Sequence, residues 1–476
     1  MPRSPHPTDS PGGTATVAEP AELRALAALV DTRDDEDTLR AASVDSGRIV
    51  TRKPRALAAP RSVPDVVEIV RWANRIGLPV ALRGRGHTQG GQSLTSGGVQ
   101  IDMQGLDRIG PVDEERQTLR VQAGATWREV VAYALQRGWM PMVLTNNLDT
   151  TVGGTLSTGG VGQSSHLHGT QANNVDELEA VTGDGRLLRC SATENRPLFD
   201  ATRAGLGQFS AITEARIRIR RALPRVRTFR LLYDDLGVLM RDQAQMRLRR
   251  RFQYLRAWCR HRDHRFLGED DDWSAAGEWS YPMDVSVECD AEPDEAGLLA
   301  GLHHRRLLST VDRDIADFAD LPEPVPLPAA RHAPLSLSLP VTEAYLPWPA
   351  AAACVARVLE RFPRALLAST NVMLRPLGPE PTPMLMLPAT GHILGFGLIP
   401  YIPSSVLPFA LPVIEHAGRL LVAAGGKRYL TGWVRRDHDE WQAHYGPQWM
   451  TILRWKETFD PNGILSNEFI RYRPAA

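Results

Sequence analysis

The sequence has little cysteine: Cys190, Cys259, Cys289 and Cys354 lie far apart in 476 residues and form no CxxC pair. That spacing argues against a disulfide framework or a cysteine-based zinc site, and it fits a reducing, cytoplasmic setting. An excess of charge of one sign is also missing. Lys+Arg and Asp+Glu both number 55, giving a formal net charge of +0, so no general attraction to nucleic acid or to a membrane surface is expected. No apolar run is long enough to suggest a spanning helix, which takes about 18 residues. The start of the chain has no apolar signal segment; residues 1–22, rich in Pro, Ser, Thr and Gly, read as a disordered tail. The pairs His303-His304 and His261/His264 have no convincing metal partners, so no metal is expected.

What is present is the composition of a globular protein, with 43% hydrophobic and 23% charged residues. The chain is too long for one ordinary core, so two domains are expected. Residues 55–220 show a regular α/β rhythm. Ser62 caps a helix with Pro64 in its first turn, Val66, Ile69, Val70 and Ala73 mark one face, and Gly77 closes it. Strands are predicted over 78–82, 99–103 and 119–123. Thr126-Trp127-Arg128-Glu129 is a capping box for a helix ending at Gly138. Residues 223–425 change texture, with longer helical patterns and Pro-rich joints at 321–328 and 376–383, and read as a second domain. Residues 426–476 end in a helix, a stop and a terminal loop.

Four segments carry the chemistry. In Arg83-Gly84-Arg85-Gly86-His87-Thr88, running on to Gln92, a histidine stands in a glycine-rich turn after an apolar strand. Such a turn can offer several N–H groups to an anion, and the imidazole can act as nucleophile or ligand. Gln89 stands where a dinucleotide fingerprint needs its third glycine, and no helix follows, so the bland alternative is a surface turn. In Thr151–Gly162, Gly153, Gly154, Gly159, Gly160 and Gly162 interleave with Thr155, Ser157 and Thr158, which suits close approach of backbone to a ligand. Val152, Leu156 and Val161 speak against a flexible linker there. Asn173–Gly185 reads as a strand and a Gly-Asp-Gly hairpin turn, and Gly205–Thr213, containing Ile212, as a glycine-bounded turn into a strand.

In this order the segments resemble the vanillyl-alcohol-oxidase-like flavoproteins, and within them the cytokinin dehydrogenase branch. The resemblance spans roughly 50–220 and 425–472, and includes Tyr429-Leu430, Trp441, His444-Tyr445-Gly446, Trp449 and Phe459-Asp460-Pro461 with Ile464-Leu465-Ser466. It implies an α+β fold: a two-lobed PCMH-type FAD-binding domain, built from 23–222 and 426–476, with an inserted α+β substrate cap over 223–425. It implies FAD bonded to His87, and cofactor contacts from Arg83, Gly84, Arg85, Gly86, Thr88, Gln92, Thr151, Gly153, Gly154, Ser157, Gly160, Gly162, Ile212, Tyr429 and Ser466. Doubly linked relatives add a cysteine in the second glycine-rich segment; residues 144–162 contain none, so a single link is expected.

The chain departs from that branch where the chemistry is done. The family's aspartate, which takes the substrate's proton, is matched by Asn146, and a carboxamide accepts no proton. Asp149 is near in sequence, and Tyr429 is another candidate base. A cap glutamate is matched by Arg256 and a glutamine near the C-terminus by Phe469. The expectation is therefore an FAD-dependent oxidoreductase that removes a hydride from a C–H next to N or O of a small substrate, an acidic one if Arg256 anchors it. O2 or another acceptor would reoxidise the flavin, and the protein would be a monomer or homodimer. The alternatives are a cytokinin dehydrogenase with Asp149 as base, and a flavin-binding relative that has lost catalysis. The Arg247–Arg265 run reads as a solvated or salt-bridged surface, neutralised by Glu269–Asp272, and His166 and His168 as loop histidines, one of which would lie near the flavin edge.

Overall fold

The computed structural model describes residues 20–266, 277–326, 337–378 and 382–472. The acidic run Glu269–Asp272, parts of both Pro-rich joints and the chain ahead of residue 20 lie outside the described residues. Pro20–Ala27 is helical, so structure begins ahead of the boundary expected at residue 23.

In the first lobe the caps act as the sequence suggests. The Ser62 side chain accepts from the Asp65 N–H, and Gly77 ends helix Val63–Ile76 in the left-handed region at φ 70°. Thr126 caps Trp127–Leu135, which stops three residues before Gly138. A four-stranded sheet follows the order Thr32–Arg33, Ala56–Ala58, Val99–Asp102, Val80–Arg83. Val80–Arg83 lies parallel to Val99–Asp102, so the chain between them must cross over, and it does so through the His87 turn. A second, antiparallel sheet is built on Ser210–Arg221, between Thr118–Gln122 and Val175–Thr182.

The C-terminal segment closes this lobe. Ile464 and Leu465 enter the core of the first sheet, and Leu465 bridges Val80 in parallel. Lys456 Nζ donates to Asp460 (2.6 Å), Gln208 O (2.6 Å) and Leu465 O (2.8 Å), and Asp460 accepts from the N–H groups of Ile464 and Leu465. A buried ion pair saturated with hydrogen bonds is the kind that repays its desolvation.

The intervening chain forms a nine-stranded sheet with Arg225–Tyr233, Trp279–Cys289, Tyr254–Trp258, Thr370–Leu377, Ile393–Pro400 and Thr342–Pro347 in adjacent places. Helices Leu236–Arg249, Trp348–Arg361 and Leu407–Ala423 pack apolar faces on it. Lys427–Arg428, from the returning segment, adds to its edge beside Thr342–Pro347. Across Ile393–Pro400, Gly397 stands between Glu343 and Met373, and Gly395 between Tyr345 and Arg375. Residues in register on neighbouring antiparallel strands share a face, so two glycines leave a trough between Glu343 and Arg375. Among the described residues no helix is long and apolar enough to cross a membrane, all four cysteines are free and buried, and no His/Cys/Asp/Glu group could hold a metal.

Replacing Lys456 by Met is expected to destabilise the fold by about 3 kcal/mol, because it leaves the buried Asp460 carboxylate without its cation. The fall in urea midpoint of the purified variant measures this; a midpoint unchanged from the wild type would show that the clasp does not hold the C-terminal segment.

Candidate functional site

A cleft of about 590 Å³ lies between the lobes, a size typical of small-molecule sites. One wall is the 82–93 turn, the floor is 145–161 with Leu206, Gly207 and Ile212, and the far wall is the cap with Glu323, Glu343, Arg375 and Tyr401, closed by Tyr429 and Thr431.

The turn is shaped by residues distant in sequence. Asp45, buried, accepts from Gly91 N–H (2.7 Å), Gly47 N–H (3.1 Å) and Thr88 Oγ1 (3.0 Å). Gln92 accepts from Gly90 N–H and donates to Leu430 O (2.7 Å) and Gly432 O (2.9 Å). Gln89 N–H donates to Thr431 O. Among the described residues, the N–H groups of Arg85, Gly86, His87 and Thr88 donate to no protein group. Gly86 adopts φ 64°, and Gly84 lies where a Cβ would strike the Thr151 hydroxyl. Arg83 Nη1 is buried without a partner. Together these make a concave set of donors suited to an anion.

The His87 ring opens into the cleft, while protein packed around its base pushes its pKa below the usual imidazole value. It is therefore neutral at pH 7, with a lone pair available. Asn147 Nδ2 stands 3.4 Å from its Nδ1. The floor carries a short helix, Val152–Leu156. Gly153 lets that helix sit against Ala123, whose Cβ would be 2.7 Å from an added Cβ. Tyr429 is buried, and burial raises its hydroxyl to about 12, partly offset by the Thr158 side chain and Gly160 backbone that it faces.

Arg83, Gly84, Arg85, Gly86, His87, Thr88, Gln92, Asn146, Asp149, Thr151, Gly153, Gly154, Ser157, Gly160, Ile212 and Tyr429 all line the cleft. Three expected residues do not. Arg256 is buried in the cap sheet, with Nε and Nη2 on Asp284 at 3.1 and 3.0 Å, where Arg230 also binds. Asp284 holds two of its three guanidinium nitrogens and Nη1 is buried without a partner, and because Arg256 does not line the cleft it cannot anchor an acidic substrate there. Ser466 gives its N–H to Val80 O and props the strand behind the turn. Gly162 packs on the Leu144 carbonyl.

Asp149 lines the rim, but two hydrogen bonds tie it to Arg128, which also reaches Asp320 of the cap. The Arg128 guanidinium holds the Asp149 carboxyl below the usual range, which makes it a poor base at this position. His166 is buried, with its nitrogens on Gln163 O and Phe252 O, and burial lowers it to about 4. It does not reach the cleft. Arg247, Arg251 and Arg260 of the Arg-rich run bond to neighbouring protein groups rather than forming an open basic face.

Sequence reasoning missed the cap's contribution. Arg375 pairs with Glu323 (3.4 Å), and Arg375 Nε and Glu323 Oε2 are buried without partners, as is Asn146 Oδ1. Glu343 stands beside them, and desolvation raises its carboxyl above the usual glutamate range despite the opposing pull of Arg375.

A family model described as "FAD binding domain" matches residues 54–191, and one described as "Cytokinin dehydrogenase 1, FAD and cytokinin binding" matches 421–468. The chain is 34% identical over 453 residues to an "Uncharacterized oxidoreductase ORF5 in fasciation locus" of Rhodococcoides fascians, covering 91% of this chain and 97% of that protein. It is 30% identical over 502 residues to cytokinin dehydrogenase 6 of Oryza sativa subsp. japonica, covering 94% and 92%. It belongs to the FAD-dependent oxidoreductase family that includes the cytokinin dehydrogenases. The matched span 54–191 carries the His87 turn and the 151–160 floor, and the match at 421–468 carries Tyr429. The residues fit FAD in kind: N–H groups without a protein acceptor and the Arg83 guanidinium are donors that a pyrophosphate would take, and the glycines of the floor leave room beside them.

Glu343→Gln is expected to stabilise the protein, and more so as pH rises. The raised carboxyl favours folding while protonated, and that contribution is lost as pH climbs from the unfolded glutamate value through the folded one. The Tm difference between variant and wild type, measured from pH 5 to 8, should widen; a constant gap would mean the group titrates normally.

Proposed function

We propose that this oxidoreductase removes a hydride from a C–H next to N or O of a small organic substrate bound between the His87 turn and the cap, with FAD joined to the protein by a single bond at His87. The observation that carries this is the His87 imidazole lining the cleft among backbone N–H groups that have no protein acceptor, with burial favouring its neutral form. A neutral imidazole is a competent nucleophile, whereas an imidazolium is not. FAD, when bound, supplies a two-electron acceptor for the hydride. Arg83 and the N–H groups of 85–88 would hold its pyrophosphate, Gly153, Gly154, Ser157 and Gly160 would line its ring, and Asn147 would orient the His87 ring. Tyr429 would close the pocket over the substrate. O2 or a quinone-like compound would take the electrons onward.

A second reading, oxidation of a cytokinin, draws on the relatives named cytokinin dehydrogenases and on the family match at 421–468. Against it stands Asn146, which cannot accept a proton. Turnover of isopentenyladenine would favour this second reading.

Purified protein is expected to be yellow and to keep its flavin through acid precipitation, with the added mass on a peptide containing His87. His87→Ala should still bind FAD but release it on denaturation. Flavin released from the wild type, with His87 unmodified, would overturn the covalent link; colourless protein that takes up no FAD would overturn the whole reading.

A further inference from the structure

The cleft is polarised. Its turn end holds Arg83, Arg85 and the unpaired N–H groups, while its cap end holds two carboxylates, Glu323 and Glu343, against one guanidinium, Arg375. Glu323 is already matched to Arg375. The Glu343 side chain has no hydrogen bond or ion pair among the described residues, and yet it is not sealed from the cleft it lines. Room for it is built into the sheet, since a Cβ at Gly397 would stand 2.8 Å from Glu343 Oε1. Its backbone is fixed on both sides: its carbonyl accepts from Tyr429 N–H (3.0 Å) and from Arg428 Nε (3.2 Å), and its strand pairs with 393–400. An unpaired carboxylate held rigidly in a ligand cleft costs stability and needs a compensating use.

We infer that Glu343 is the catalytic carboxylate of this chain, taking from the cap side the proton that Asn146 cannot take when an N–H substrate, of the kind the family's cytokinin dehydrogenases oxidise, is bound. The inference rests on the oxidoreductase reading above. The step balances as follows. The C–H beside nitrogen leaves as hydride, carrying two electrons to the flavin. The substrate's N–H proton passes to Glu343 Oε, which becomes a neutral carboxylic acid, and the C–N single bond becomes an imine. Positive charge that develops on the substrate lies against the acidic end of the cleft, where a carboxylate-bearing substrate would be repelled.

The groups facing Glu343 set its pH dependence: Arg375 from 370–377, Glu323 from the loop after Ile315–Ala319, and Arg428 and Tyr429 from the returning segment. Arg375 and Arg428 favour the carboxylate, while Glu323 and burial oppose it. Activity is therefore expected to fall as pH drops through the raised glutamate value, because the protonated acid cannot receive a proton.

The test uses flavin-loaded wild type, Glu343→Gln and Glu343→Asp with isopentenyladenine, a secondary amine, as probe. Two quantities are read from pH 5 to 9: the dissociation constant from the perturbed flavin spectrum, and the anaerobic rate of flavin bleaching. The Gln variant should keep its flavin, bleach roughly 100-fold or more slowly, and lose the acidic limb of both profiles; Asp should restore part of the rate. A Gln variant that bleaches within twofold of the wild type overturns the assignment. If the wild type binds the probe without bleaching, the oxidation reading fails, and the inference is still judged by the Kd: it stands if the Gln variant loses the pH dependence of binding and falls if the profile is unchanged. Wild type that does not bind the probe at any pH overturns the assignment of Glu343 as acceptor of an amine proton.

Discussion

The cleft exists because the chain's end folds back onto its beginning. Gln92 is the contact on which this turns, since one buried carboxamide joins Gly90 of the His87 turn to Leu430 and Gly432. Gln89 adds a backbone bond to Thr431, and Asn467 Nδ2 donates to Gln92 O at 2.7 Å. These bonds hold Tyr429 in the wall of the cleft that His87 also lines. They also fix Glu343, because Tyr429 N–H donates to the Glu343 carbonyl. A buried amide with every partner in place tolerates little movement, since each broken bond leaves a desolvated polar group. Cofactor wall and cap wall thus share one hydrogen-bonded register, although some 340 residues separate them (Gln92 to Gly432, |i−j| = 340).

Burial acts on the two walls in opposite senses. At His87 it disfavours the cation and leaves a neutral nucleophile; at Glu343 it disfavours the anion and leaves a carboxyl whose titration lies closer to neutrality. The shift at His87 favours the form that can bond to a ligand, while the shift at Glu343 makes its carboxylate a stronger base and confines that carboxylate to higher pH. The rim behaves differently. Arg128 joins Asp149 to Asp320 in solvent, where such pairs contribute little to stability, and their value here is to bring the first lobe and the cap together at the cleft mouth.

What could be read from the sequence were features set by neighbours a few residues away: the Ser62 and Thr126 caps, the Gly77 stop, the 175–191 hairpin and the turn around His87. Less legible were residues whose partners lie far off in the chain. Arg256 faces Asp284, its partner in register on the adjacent strand. Asp149 meets Arg128, which the capping box had presented only as a helix residue. Asp45 and Glu343 carried no local signal. Asp45 acts through backbone amides of Gly47 and Gly91, and Glu343 needs a glycine on the next strand, which only the register reveals.

That glycine bears on how this cap differs from an ordinary sheet face. Gly in a strand interior weakens it, because it adds backbone entropy and removes a cross-strand contact. Two of them alternate at 395 and 397, on the face shared with Glu343, Tyr345 and Arg375. Had the trough served packing alone, apolar side chains would fill it at lower cost, yet it holds an acid, a guanidinium and the Tyr345 hydroxyl, which is buried without a partner. Buried polar groups are ordinarily hydrogen-bonded, so these call for a polar partner, water or a bound molecule. The sheet trades strand stability for a polar recess that adjoins the cleft His87 lines, and that recess supplies the one cleft carboxylate free of an ion pair among the described residues.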